Sequence, residues 1–302
     1  MACRLAGHLA GRGEYDRAVG ALEAVDADAL RSARSREYWQ KYLALLRARR
    51  AMHAGDLDAA ESRLRTLLQG KPDSLEPDVA FAADSLRVEL LTRRGDLPAA
   101  FAEVERLLAE NRAGDGDVAL RARLLLAKAH LYDVAGRPAR GFSLAMRAAG
   151  LARRARVLPL LWQAVGSVAN VLTGLGEFAA AASLLRPAIP RCIECGAWFM
   201  VAQLCSWLAD AHVGRAGAEP SGSAARALAM AAAATALRDA FDYYARVGDV
   251  GKQCETRAKQ AALARALGDD DMVESFSAHY LRLKAAKPAS ATNWQGSGAE
   301  VT

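Results

Sequence analysis

Apolar and small side chains return at two fixed places in a six-residue turn signature that recurs down the chain. The copies are GEYDRA from Gly13, GDLDAA from Gly55, GDLPAA from Gly95, GRPARG from Gly136, GEFAAA from Gly176 and GDDDMV from Gly268. The third place is large and apolar at Tyr15, Leu57, Leu97 and Phe178, and the sixth is Ala at Ala18, Ala60, Ala100 and Ala181. Successive glycines stand 42, 40, 41, 40 and then 92 residues apart, so the last gap spans two units of about 46. Recurrence at this period predicts a repeat array. In each copy the Gly supplies the left-handed conformation that ends one helix, and the acid that follows it in five of the six copies suits the positive end of the next. The apolar third residue can wedge between the two helices, and the Ala lets their backbones approach closely.

This Gly-x-aromatic-x-x-Ala core resembles the tetratricopeptide repeat, lengthened from its usual period of roughly 34 residues. The resemblance implies an all-α solenoid of about seven helical hairpins, a right-handed superhelix over residues 1–284 whose concave wall is lined by the first helix of each pair. Polar loops are expected at KPDSLEP (71–77) and AGDGD (113–117), and an insertion, GRAGAEPSGS, at 214–223. The segment 285–302 reads as a disordered tail, in which Trp294 is an incidental aromatic or, less simply, a docking motif. The first helix starts without a capping residue, as expected if the chain is the C-terminal part of something longer.

Composition narrows the class. Hydrophobic residues make up 52% of the 302 residues while aromatics are 6%, which suits Ala-rich helix packing and not β-sheets. The longest apolar run, 227–237, is mostly Ala and lies between Arg226 and Arg238, so no membrane span is expected. Arg4, His8 and Arg12 interrupt any apolar leader core. Five cysteines without a framework spacing suggest reduced thiols in a nuclear or cytosolic protein.

Candidate chemistry is sparse. Cys192, Cys195, Cys205 and His212 have a C-x2-C-x9-C-x6-H spacing that supplies four possible zinc ligands, but Cys205 and His212 lie among Val201, Leu204 and Leu208, and small apolar packing is the favoured reading. The acids at 269–271 read as helix capping before a cation site. No phosphate loop, nucleophile elbow or dinucleotide signature appears, and His8, His53, His130, His212 and His279 are scattered over different pairs, so neither catalytic residues nor a cofactor are expected. The net charge of +6 is accompanied by basic clusters at Arg47, Arg49 and Arg50 and at Arg153, Arg154 and Arg156. The interleaved acids and the lack of stacking aromatics favour acidic protein partners over nucleic acid.

Two stretches carry a more specific resemblance. Residues 154–190, marked by Leu158, Pro159, Leu161, Trp162, Gly176 and Pro190, and residues 240–261, with Asp249, Val250, Lys252, Gln253 and Cys254, resemble the C-terminal repeat region of the family of anaphase-promoting complex subunit 5, the latter its fungal form. SREYWQKYLALLRARRAMHAGDLDAAESRLRTLL at 35–68 supports it, and the likeness runs from about Tyr38 to Leu283. GRPARG departs from the pattern, with Gly141 where Ala is expected. The resemblance implies a noncatalytic platform subunit of a ubiquitin ligase in cell-cycle control, nuclear and cytoplasmic, whose partners are large platform scaffolds and neighbouring repeat subunits, with no membrane and no small-molecule substrate. Similar repeats of about 40 residues also occur in sensors and transcriptional regulators that bind peptides or small ligands, which is the competing reading.

Counting back from the turn glycines places Arg49, Glu89, Arg123, His130, Gln163 and Asn170 on the concave wall as candidate partner-binding residues. A plain solvated face is the equal alternative. Asn170 is expected to hydrogen-bond an extended peptide backbone, so that Asn170→Ala weakens a partner without lowering the melting temperature.

Overall fold

The computed structural model describes residues 2–26, 30, 32–69, 76–113 and 117–285. Of the expected loops at 71–77 and 113–117 and the expected tail at 285–302, residues 71–75, 114–116 and 286–302, with Trp294, lie outside them, while Pro77, Ala113 and Ala285 are the end residues of helices. The described residues form fourteen helices and no strands. They fall into seven hairpins: α1 (Ala2–Gly11) with α2 (Tyr15–Glu23), α3 (Ala33–Ala54) with α4 (Leu57–Leu68), α5 (Pro77–Arg93) with α6 (Leu97–Ala113), α7 (Val118–Val134) with α8 (Pro138–Arg154), α9 (Leu158–Gly174) with α10 (Phe178–Glu194), α11 (Trp198–Ala218) with α12 (Ala224–Arg246), and α13 (Val250–Leu267) with α14 (Asp270–Ala285). The chain is an all-α array of helical hairpins. Among the described residues no helix is long and apolar enough to cross a membrane.

The turns follow from local sequence. Gly13, Gly55, Gly95, Gly136, Gly176 and Gly268 all have φ between 69 and 85°. At Gly55 the backbone N–H returns to the Ala51 and Met52 carbonyls, closing the end of α3. The acid after the glycine does more than complement the helix dipole. Asp56, Asp96 and Asp269 accept from the backbone N–H three residues on at 3.0, 3.1 and 3.0 Å, which satisfies a donor the helix leaves orphaned.

The 92-residue gap has its own glycine. Gly222, at φ 79°, stands 46 residues after Gly176 and 46 before Gly268 and turns the sixth hairpin. Residues 214–218 of the expected insertion are helical, so the connection is only 219–223. The extra length resides in the helices: α11 has 21 residues and α12 has 23, against 17 in each of α5 to α10. Gly214 is tolerated inside α11 because a Cβ there would meet the Phe178 ring at 2.1 Å. The wedge residue of the fifth hairpin thus needs a bare backbone on the helix it abuts.

Two compact units are present, one of residues 2–10 and 15–103 and the other of 11–14 and 104–285. In the first, α3 packs on α2, α4 and α5. Its core gathers Leu45, Met52, Leu64 and Leu86, with a smaller cluster around Ala18, Val19, Leu22 and Leu43. In the second, first helices pack on first helices (α7 on α9, α9 on α11), and each also packs on the second helix of its own hairpin. Ala181, Leu185, Val201, Leu204 and Tyr244 form the centre of its largest core cluster. The sixth-place residues Ala18, Ala60, Ala100 and Ala181 are at most 2% exposed, as close helix contact requires. Gly141, the apparent defect, marks an even closer approach: a Cβ would lie 3.0 Å from the Ala129 carbonyl oxygen of α7.

Candidate functional site

Four of the six candidate wall residues share one register. Arg49, Glu89, His130 and Asn170 each stand six residues before their turn glycine. Within each unit, side chains at equivalent places on neighbouring first helices (α3 and α5, α7 and α9) form a ladder, so their chemistry depends on what the adjoining helix supplies.

In the first unit the ladder residues are tied together. Arg49, half-buried on α3, lies 5.9 Å from the centre of the Tyr15 ring, which in turn packs 4.5 Å from His53. Burial works against the Arg49 charge, but Tyr15 and Glu89 outweigh it and hold the guanidinium above its ordinary value. Glu89 pairs with Arg93 at 3.0 Å, and Arg93 donates to the Met52 carbonyl of α3 at 3.2 Å. The result is a polar seam between α3 and α5.

In the second unit Arg123 and His130 are exposed on α7, while Gln163 and Asn170 are half-buried on α9. Asn170 Nδ2 donates to Asp133 Oδ2 of α7 at 2.7 Å. A carboxylate only accepts, which fixes the amide orientation. The expected peptide-binding amide is therefore partly committed within the fold.

Two further polar residues of the same register went unnoticed in the sequence. Gln203 and Asp210 continue the Gln163 and Asn170 register forty residues on, in α11. Gln203 accepts from the buried Tyr244 hydroxyl at 3.1 Å, and Lys259 of α13 donates to Asp210 at 2.6 Å and to Ser206 at 3.2 Å. The forty-residue recurrence was the available signal. It was obscured because α11 is four residues longer than α9, so counting back six from its turn glycine, Gly222, lands on Ala216 instead of Asp210.

The cysteine cluster is built for packing. Cys192 and Cys205 are buried within the largest core cluster of the second unit, and burial pushes each thiol up to about 12. Cys195 is exposed at the end of α10, and His212 is buried with its pKa lowered by burial and by Arg186 and Arg215. Among the described residues no group of three or more His, Cys, Asp or Glu is placed to hold a metal. A cleft of about 410 Å³ in the first unit is lined by Cys3, Leu30, Arg34, Tyr38, Trp39 and Glu76 among others. It contains none of the wall residues, and Arg34 and Glu76 satisfy each other at 2.8 Å.

No family model matches the chain, and no curated protein matches it. Solved structures do. The chain is similar to a Rap protein complexed with competence and sporulation factor, with a TM-score of 0.67 at 10% identity over 94% of this chain and 76% of that one. It is also similar to BtubC from P. vanneervenii, with a TM-score of 0.50 at 17% identity over 90% of this chain and 98% of that one. At such identities the likeness establishes the fold: this chain has the helical-repeat architecture that those proteins share.

Proposed function

We propose that the chain is a noncatalytic binding platform that engages a protein partner along the first helices of its hairpins. The observation that carries this reading is the recurrence of polar residues at one register of the first helices: Arg49 and Glu89 in the first unit, and His130, Asn170 and Asp210 in the second. Within a unit, neighbouring first helices offer such groups to one ligand, one contact per repeat.

The finer reading, from the resemblance of residues 154–190 and 240–261, is a platform subunit of the anaphase-promoting complex, nuclear and cytoplasmic, whose partners are other subunits of that ligase. Affinity capture of the tagged chain from a eukaryotic lysate, read by mass spectrometry, tests it. Recovery of cullin-like and RING-type subunits in stable proportion supports the platform, and their absence from a monodisperse chain sinks it.

The competing reading is the peptide-binding module of a sensor or regulator. Its specific support is the likeness to a Rap protein crystallised with a factor bound, together with the amide side chains of Gln163, Asn170 and Gln203 along α9 and α11. Retention of a single peptide by the purified chain, lost in Gln163→Ala, favours this reading over the platform.

A further inference from the structure

The formal net charge of +6 resides in one stretch. Between Asp133 and Glu177 the chain has no acidic residue, no lysine and six arginines, and without these the remaining thirty-four basic residues balance thirty-four acidic ones. The six, Arg137, Arg140, Arg147, Arg153, Arg154 and Arg156, are all exposed on α8 and its two flanking turns. Among the described residues none of them pairs with a carboxylate. The other basic cluster behaves differently: Arg47 pairs with Glu23 at 2.8 Å, Arg50 reaches Asp16 at 4.0 Å, and Arg49 is held beside Tyr15.

The sequence also places charge against the helix. At the turn where other hairpins have Glu14, Asp56, Asp96, Glu177 or Asp269, this one has Arg137, followed by Arg140 in the first turn, and no side chain caps α8. Cations at a helix N-terminus oppose the macrodipole. Arg153 and Arg154 in the last turn suit the dipole, but Arg137 and Arg140 at its first turn do not, and a local rule broken there points to a requirement outside the fold.

The opposite face of α8 is occupied. Gly141, Ala145, Ala148 and Ala152 are buried, and the helix packs on α7 and α9. On the open face Arg140, Arg147 and Arg154 repeat every seven residues, which sets them about 10.5 Å apart with a drift of only about 20° per step. Ser143 and Gly150 run beside them at the same spacing, both exposed, and a Cβ at Gly150 would meet nothing within 4 Å. The stripe is a straight row of guanidinium forks beside a low shelf.

We infer that α8 is a docking surface for an acidic α-helix of a partner protein, laid lengthwise with carboxylates at heptad spacing opposite Arg140, Arg147 and Arg154. A helix has the same rise, so its i, i+7 and i+14 carboxylates match the row, and arginine engages each in a bidentate fork. The small residues let the second backbone come near. Nucleic acid fits less well, because the one aromatic of α8, Phe142, packs against the cluster of Ala129, Ala145 and Val168 and is not offered to bases for stacking. This surface lies on a second helix of a hairpin and is independent of the first-helix wall.

The test is fluorescence anisotropy at about 150 mM salt, where loose surface attraction is screened within roughly 8 Å. The probes are an alanine-rich helical peptide with three glutamates seven residues apart, a peptide of the same composition with its glutamates adjacent, and a short DNA duplex. The heptad peptide should bind about tenfold tighter than the adjacent one, a difference of about 1.4 kcal/mol. Arg140→Gln/Arg147→Gln/Arg154→Gln should remove that binding with helicity and melting temperature unchanged. The matching triple Lys variant, which keeps charge and fold but lacks the fork, should lose a substantial part of it. Equal affinity for the two peptides, tighter binding of the duplex than of the heptad peptide, or undiminished binding by the Gln variant would each overturn the inference.

Discussion

Asn170 Nδ2 and Asp133 Oδ2 meet at 2.7 Å across the fourth and fifth hairpins, joining the first helices α9 and α7. One hydrogen bond thus links neighbouring repeats at the register where partner contact was expected. Asn170→Ala is therefore expected to lower stability by about 1 kcal/mol, since it leaves a half-buried carboxylate without its donor. A double-mutant cycle with Asp133→Ala in urea denaturation should return a coupling of about 0.5–1.5 kcal/mol. Zero coupling would leave Asn170 available to a ligand alone.

Two glycines of α8 should respond in opposite directions. Gly141→Ala forces a Cβ to 3.0 Å from the Ala129 carbonyl and 3.5 Å from its Cα, backbone atoms that cannot turn aside. A loss of about 1–3 kcal/mol is expected. Gly150→Ala enters open space in a helix interior and should stabilise by about 1 kcal/mol. Urea midpoints of the two variants check the pair, and a destabilised Gly150→Ala would contradict it.

Arg156 is the one described non-glycine residue with positive φ, at 56°. It stands between the fourth and fifth hairpins where Gly196 and Gly248 serve the later ones, at φ 65 and 71°. Relief of the left-handed strain, about 1–2 kcal/mol, exceeds the extra chain entropy of glycine. Arg156→Gly should therefore raise the urea midpoint slightly, while Arg156→Val should lower it.

Acid should weaken the second unit through His212. Burial, and then Arg186 and Arg215, depress its pKa below the ordinary 6.5. The unfolded chain therefore binds the proton more readily, so this contribution is complete above about pH 6.5 and is lost as pH falls through the folded value. Melting curves between pH 7 and pH 5 should fall more steeply for the native chain than for His212→Gln. Parallel slopes would remove His212 from the account.

Thiol alkylation should separate the cysteines of α10 and α11. Cys195 is exposed and should react first, whereas Cys192 and Cys205, buried and pushed up to about 12, should wait for unfolding. Metal analysis of protein prepared without chelator completes the test, because roughly one zinc per chain would overturn packing as their role.

The hairpins were legible because their signals are local. A glycine at positive φ, an aspartate that caps three residues on and an alanine against a neighbouring backbone each answer a demand made within one turn, so Gly55, Asp56 and Ala60 announce their hairpin without reference to the rest of the chain. The same logic placed the sixth turn only within the polar stretch 214–223, because the residues that flank Gly222 lack the signature, and it missed Arg156, whose side chain disguises a left-handed turn. It also took Gly141 for decay, although the contact with Ala129 makes it the tightest version of the rule.

The binding surface was only half legible. Its register is periodic and therefore visible, yet whether a polar side chain faces a ligand or a neighbouring helix is a two-body property. Asn170 and Gln203 present the same kind of group in the sequence, and what separates them is that α7 brings Asp133 to one and α12 brings Tyr244 to the other. The stripe of α8 shows the converse. Its arginines and the missing acids are plain in the sequence, but only packing decided that α7 and α9 would bury the alanine face and leave every one of those charges to solvent. Chain sequence by itself determined the number, spacing and turns of the hairpins, because these follow from conformational limits of single residues. Tertiary structure decided which polar groups are consumed inside the fold and which remain for a partner, because that depends on which helices become neighbours.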